Sequence, residues 1–448
     1  MSLQGTILRR LALPAYERIR GRGMLRYLAE YDANQWLDED ALKRIQWQKL
    51  QALLQHCWLH VPYYRLAWAE AGVGDVAEIS SLAEFECLPL LTKQDVRDNF
   101  SELAATTHQG GIMFKATSGS TGSPLRVGFD RESYDRRVAV MHRGYGWAGV
   151  RLGERVVYLW GGALERSPWR KRIKEDAFAK AFNRLVLETD VLDDAVLRRY
   201  VDAINRFRPD TIVGFTMPLE QMARCIESHG LAVHKPARIL SAAEKMHAHQ
   251  RQRIELAFAA PVYDTYGCRE VMLIGAECTE KQGLHVNTDH LVVECIHHEG
   301  MDGGAGDVVL TDLHNYGMPM VRYVNGDVAT MSSRRCPCGR GLPLMESVGG
   351  RLLDALVTPD GRLVAGERIV AIFMGLPGVL QYQAVQTSAD HLDIRIVPGP
   401  EFQHDVLKPA EAHLRRAFGD DMDIHFDLCD EIPLGPGGKR RVSMRVTS

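Results

Sequence analysis

Past Ser118 the chain alternates short apolar runs with helical patterns, and that alternation restricts the fold more than any other feature. The runs at 154–162 (ERVVYLWGG), 210–215 (DTIVGF), 237–244 (ARILSAAE), 261–267 (PVYDTYG) and 306–313 (GDVVLTDL) read as strands. Helical spacing over 192–207, 219–229 and 247–258 separates several of them. A strand, a crossover helix and a return strand run most simply in parallel. The expected fold class is therefore α/β, a large domain of parallel-rich sheets and helices whose ligands bind at the C-terminal ends of the strands. A surface helix is expected over 39–59, where Leu42, Ile45, Leu50, Leu53, Leu54 and Cys57 recur before His60-Val61-Pro62 halts the run.

Around Gly349-Gly350-Arg351 the composition changes. The C-terminal remainder reads as a small α+β unit, with strands near 379–387 and 391–397, a helix near 404–418 and a last strand near 422–428. The expected division is a large N-terminal domain over 1–350, a hinge at 351–354 and a small mobile C-terminal domain over 355–448.

Charge and apolar patterning exclude several classes. With 54 Lys+Arg against 57 Asp+Glu the 448 residues carry a net −3, which disfavours a nucleic-acid binder resting on bulk positive charge. No apolar stretch reaches the ~18–20 residues of a membrane span, and the start lacks a secretory h-region, so a cytoplasmic location is expected. Nine Cys, an odd number, argues against a disulfide framework and toward metal or isolated thiols. The Arg-rich, amphipathic segment 9–26 reads as a solvated helix face, with contact to an anionic membrane surface as the alternative.

The sharpest local signal is Thr117-Ser118-Gly119-Ser120-Thr121-Gly122-Ser123-Pro124, just before an expected strand at 125–129. Glycines let backbone N–H groups approach an anion, and the hydroxyls add donors that fit phosphate oxygens. No Lys follows Gly122, so this is not a Walker A loop.

At this loop the sequence resembles the adenylate-forming superfamily. Further blocks stand in that family's order: Tyr266-Gly267-Cys268-Arg269-Glu270, then Leu310-Thr311-Asp312 with Met320-Val321-Arg322-Tyr323-Val324-Asn325-Gly326-Asp327, then Gly350-Arg351 and Gly438-Lys439. Within the superfamily the likeness is to phenylacetate-CoA ligases and their relatives in capsule and exopolysaccharide biosynthesis. It is carried by Val61-Pro62-Tyr63-Tyr64-Arg65, Leu88-Pro89-Leu90-Leu91-Thr92-Lys93 and Ser241-Ala242-Ala243-Glu244.

The resemblance implies ATP-dependent activation of a carboxylic acid to an acyl-adenylate, followed by transfer to CoA. ATP would bind through Thr117, Ser118, Gly119, Ser120, Thr121 and Gly122, with Thr121 also serving catalysis. Glu270 would hold Mg²⁺, and Tyr266 would stack on adenine. Asp264, Thr265 and the backbone of Ala242, Ala243 and Glu244 would lie along the base. Asp327 would take both ribose hydroxyls, and Arg322 and Arg351 would be cations on the ribose and phosphate side. Lys439, in the glycine loop Gly435-Pro436-Gly437-Gly438-Lys439, would be the catalytic lysine, delivered and withdrawn as the small domain rotates. Such chemistry needs no thiol nucleophile, so Cys268 is expected merely to line the pocket.

Cys278, His285, Cys336 and Cys338 offer three thiols and an imidazole, a set that suits tetrahedral, structural Zn²⁺, although Cys-x6-His and Cys-x-Cys are looser than common zinc modules. Some phenylacetate-CoA ligase-like proteins carry a Cys/His zinc site in similar segments, which strengthens that expectation. Two other functions stay open. One is adenylation with transfer to an amine or a carrier-protein thiol. The other is an inactive, zinc-stabilised nucleotide-binding scaffold. The expected partners are a small carboxylic acid and an acyl acceptor, with a homodimer left open.

Overall fold

A computed structural model describes residues 3–108, 110–116, 125–160, 179–189, 192–297, 305–351, 356–361, 363–364, 369, 372–373, 376–432 and 442–446. Two short strands, β1 (Met113–Ala116) and β2 (Arg126–Phe129), pair antiparallel with Ala116 opposite Arg126. These strands flank segment 117–124.

The central sheet is built in two halves. Strands β3 (Val156–Trp160), β4 (Arg184–Glu188), β5 (Thr211–Phe215), β6 (Arg238–Ala242) and β7 (Val262–Cys268) are parallel, in the order β4-β3-β5-β6-β7. The run Ile212-Val213-Gly214 and the preceding Thr211 are all buried, as expected where helices cover both faces of a parallel sheet. The covering helices Asp194–Phe207, Thr216–His229 and Ala248–Phe258 fall where the periodicity predicts. Asp193 caps the first, accepting from Val196 N at 2.7 Å, and Leu197, Val201 and Ile204 turn its apolar face inward.

From β7 the sheet continues antiparallel through β8 (Met272–Glu277), β9 (Leu284–Val286), β10 (Leu291–Ile296), β11 (Ala305–Asp312), β12 (Tyr323–Ser332) and β13 (Leu344–Arg351). The order is β7-β8-β9-β13-β12-β11-β10, giving a sheet of eleven strands among the described residues. The alternation of strands and helices announces the parallel half. Of the antiparallel half it locates only β11, because among the described residues no helix separates the strands from β8 to β13. A buried helix, Arg131–Trp147, packs against β8 and carries two guanidiniums into the interior. Arg137 meets Asp312 at 2.6 Å and Arg143 meets Asp289 at 2.7 Å. Buried charges of this kind persist only when paired.

The C-terminal unit has a sheet and a core of its own. Strands β14 (Leu356–Val357) and β15 (Leu363–Val364) form a hairpin pair. Strands β16 (Val379–Ser388), β17 (His391–Pro398), β18 (Asp423–Leu428) and β19 (Ser443–Arg445) form a four-stranded sheet in the order β18-β17-β16-β19. The helix Leu407–Phe418 packs on it through Ala410, Leu414 and Phe418. This α+β arrangement matches the expected strands and helix to within a few residues.

Candidate active site

The parallel and antiparallel halves of the sheet meet at β7, and the strand ends there are where an α/β sheet opens a crevice for ligands. The C-terminal end of β7 delivers Tyr266, and the turn into β8 delivers Glu270. Gly267 is required at this bend, because a Cβ on it would overlap the Met272 carbonyl oxygen.

Tyr266 and Asp327, 61 residues apart, come together: the Tyr266 hydroxyl donates to Asp327 Oδ2 at 2.9 Å. Asn325 completes the junction. Its Nδ2 donates to the Tyr266 hydroxyl oxygen and to Asp327 Oδ2, each at 2.9 Å, and its Oδ1 accepts from Asp327 N at 2.9 Å. Burial, and then the Asp327 carboxylate, push the Tyr266 phenol well above its ordinary value, which keeps it a donor at neutral pH. Asp327 also stands opposite Arg351 on the β12–β13 ladder.

Glu270 is 7% exposed, and its Oε1 accepts from the Tyr323 hydroxyl at 2.9 Å. Among the described residues no Lys or Arg forms an ion pair with it. A buried carboxylate with no cation of its own is suited to hold a bound one, and its oxygens are the donors Mg²⁺ prefers. Burial and the Glu270 carboxylate push the Cys268 thiol well up, so it stays protonated, in keeping with a lining role.

Other expected site residues are engaged differently. Arg322 is buried and clamps Glu294, with Nη2 to Oε1 at 2.7 Å and Nε to Oε1 at 3.1 Å, while Nη1 donates to the Glu86 and Leu88 carbonyls. Its guanidinium is thereby committed to protein groups. Glu244 turns its carboxylate to Met217 N at 2.8 Å, capping the helix Thr216–His229. Its neighbour Ala243 holds a left-handed backbone at φ 66°, uncommon for a residue with a Cβ and frequent beside functional sites. Thr265 Oγ1 donates to the Ser241 carbonyl at 2.7 Å, tying β7 to β6 where Ala242 ends the strand.

Asp264 N donates to Glu277 Oε2 at 2.8 Å, and Glu277 is held bidentately by Arg251. Burial, then the neighbouring Glu277, push the Asp264 carboxyl up to about 7 against the opposing pull of Arg251. The folded protein thus keeps a proton that the unfolded chain releases near 3.8, so this group's stabilisation is full below that value and is lost as pH rises to about 7. Asp264→Asn, a mimic of the protonated acid, should gain stability relative to wild type as pH rises through that window. Melting curves that keep a constant separation from pH 4 to 8 would overturn the assignment.

The expected phosphate loop (Thr117, Ser118, Gly119, Ser120, Thr121 and Gly122), the hinge residues 352–354 and Lys439 lie outside the described residues, and of Arg351 only the backbone is described. Sequence reasoning gave no role to Tyr323 and Asn325, although both stand inside the quoted block. Two N-terminal blocks also acquire a physical role. Leu91 bridges to Tyr323, Lys93 Nζ donates to the Asn325 carbonyl at 2.7 Å, and Tyr64 joins the Pro319 carbonyl at 3.0 Å to Val321 N at 2.9 Å. Both motifs fix the entry to β12.

Cys278, His285, Cys336 and Cys338 converge, their ligand atoms all within 4.8 Å of one another. Cys278 Sγ lies 3.6 Å from Cys336 Sγ, and Cys338 Sγ lies 3.3 Å from His285 Nε2. Tetrahedral zinc with bonds of about 2.0–2.3 Å separates its ligand atoms by about 3.3–3.8 Å, so these two spacings fit. The three thiols are free of disulfides, and burial holds the His285 imidazole down to about 4, so it is neutral and able to ligate.

The fold is that of the adenylate-forming CoA ligases. It matches a crystal structure of 2-hydroxyisobutyryl-CoA ligase in the postadenylation state, complexed with R3-HIB-AMP, at a TM-score of 0.73 and 21% identity, covering 93% of this chain and 91% of that one. The sequence is homologous to Protein CapK of Staphylococcus aureus, 24% identical over 375 residues and 81% of each chain. It is also homologous to the phenylacetate-coenzyme A ligase of Thermus thermophilus, 26% identical over 368 residues, 80% of this chain and 81% of that protein. Residues 356–445 match the CapK C-terminal domain family.

Proposed function

We propose that the protein is an AMP-forming acid–CoA ligase. A carboxylate attacks the α-phosphorus of ATP and expels pyrophosphate, giving an acyl-adenylate, and the CoA thiol then displaces AMP to leave a thioester. The observation that carries the proposal is the Tyr266–Asn325–Asp327 junction beside the buried Glu270 at the switch point of the sheet. Homology to phenylacetate-CoA ligases over four-fifths of the chain supports the same chemistry.

In this proposal Asp327 accepts from the ribose hydroxyls, Tyr266 lies against adenine, and segment 117–122 supplies phosphate donors. Glu270 holds Mg²⁺, which when bound neutralises charge on the phosphate oxygens. The Cys278, His285, Cys336 and Cys338 set holds a structural Zn²⁺. The division into domains at 351–354 lets the C-terminal unit alternate, bringing Lys439 in for the first step only. Lys439→Ala should lower adenylation about 10²-fold or more yet spare thiol attack on a supplied acyl-adenylate; equal loss in both half-reactions would count against alternation.

The acid is proposed to be compact and largely apolar, aromatic acids foremost, and the location cytoplasmic. The match of the C-terminal unit to the CapK family favours one second reading, in which the acyl group passes to an amine or a carrier-protein thiol. The test is exchange of labelled pyrophosphate into ATP across aryl, aliphatic and sugar acids, with the products then scanned for thioester against amide. ATP binding without exchange for any acid would favour the inactive scaffold.

A further inference from the structure

We propose that the outer face of the N-terminal helix docks on an anionic lipid bilayer. The helix runs without a break through Leu3–Ile7, a π turn at Leu8–Ala12 and Leu13–Arg20. Residues four apart in an α-helix drift by about 40° around the axis. The wider π turn takes up part of that drift. Ile7, Leu11, Ala15 and Ile19 consequently form one row along the helix.

That row faces away from the protein. Ile7 is 48% exposed, Leu11 66% and Ile19 82%, and Ala15 is exposed with them. Leu8, Leu13 and Glu17 occupy the buried side. The helix is held firmly: Arg22 pairs with Asp135 at 2.5 Å, Gly23 N donates to Asp135 Oδ2 at 2.9 Å, and Tyr16 meets Phe182 edge-on. The exposed row is therefore presented on a fixed element rather than on a fraying end.

Charge selects the occupant. Residues 9–26 contain six Arg and one Glu, a net +5 in a chain whose total is −3, so the rest of the molecule carries −8. Arg22 is used internally, but Arg10, Arg18 and Arg20 are exposed, and among the described residues none has a carboxylate partner. Arg10 and Arg18 lie along one flank of the apolar row. An apolar ridge bordered by arginines suits the boundary between headgroups and acyl chains of an anionic leaflet, where the ridge enters and the guanidiniums stay with phosphates. A second copy fits poorly, since a two-fold contact would set one +5 segment against another. Four side chains in a row also fall far short of the ~800 Å² per partner of a stable dimer.

The experiment is sedimentation of the full chain with vesicles of phosphatidylcholine, alone or with about one third phosphatidylglycerol. Wild type is expected to sediment with the anionic vesicles at low salt and to be released at ~0.5 M salt, where exposed charges are screened. Leu11→Ser/Ile19→Ser and Arg10→Glu/Arg18→Glu should each weaken binding about tenfold or more. Both should leave the melting temperature unchanged, because all four side chains are exposed. Three results would overturn the proposal: wild type that stays in the supernatant, variants that bind as well as wild type, or a dimer split by the apolar substitutions with no vesicle binding.

Discussion

Glu270→Gln should slow pyrophosphate exchange about a hundredfold or more, the scale on which one preorganised charge contributes to stabilising a transition state. Glutamine keeps the size of the side chain and an oxygen that accepts from the Tyr323 hydroxyl, now at 2.9 Å, so the fold around β12 should survive. What is lost is the negative charge that makes this buried position a place for a divalent cation. The requirement for Mg²⁺ should rise as the rate falls. Tyr323→Phe separates position from charge: it leaves the carboxylate intact but free to turn, and should cost about tenfold or more, the scale of one hydrogen bond to a charged group. Near-wild-type exchange by Glu270→Gln would place metal binding on another residue. A melting temperature well below wild type would instead give Glu270 a structural role.

How much of this site could be read from the chain depended on how local the signal was. Short apolar runs separated by helical patterns located five strands, four in the parallel half and β11 in the antiparallel half, because each is a continuous segment. Tyr266 and Asp327 could be named because each stands in a short ordered block, yet nothing in either block says that their side chains touch across 61 residues. Arg322 illustrates the opposite case. Its block suggested a ligand-facing cation, but Glu294 and the Glu86 and Leu88 carbonyls, distant in sequence, claim the guanidinium once the chain folds. Glu244 was legible as part of a site segment and illegible as a helix cap, since capping requires knowing that a helix begins at Thr216 beside it. The roles of Tyr64, Leu91 and Lys93 were hidden for the same reason. They act through β12, more than two hundred residues away.

Replacing both zinc-site cysteines, Cys336→Ser/Cys338→Ser, should remove the metal and lower the melting temperature by about 10 °C or more, given ~2–4 °C per kcal/mol for a domain of a few hundred residues. The size of the effect comes from where the ligands lie. Cys278 directly succeeds β8, His285 lies in β9, and Cys336 and Cys338 lie in the connection from β12 to β13, so one ion ties together four strands of the antiparallel half. Because thiolates and a neutral imidazole bind the metal, its affinity is folding free energy, and acid or a chelator should release it. Elemental analysis of wild type should find about one zinc per chain. Adenylation should slow as well, though indirectly, since β12 also carries Asn325 and Asp327. That loss should be partly recovered by cooling, which favours the folded site, whereas the loss in Glu270→Gln should not. A chain that holds no metal, with a double variant that melts like wild type, would reduce the four residues to ordinary buried thiols and a buried histidine.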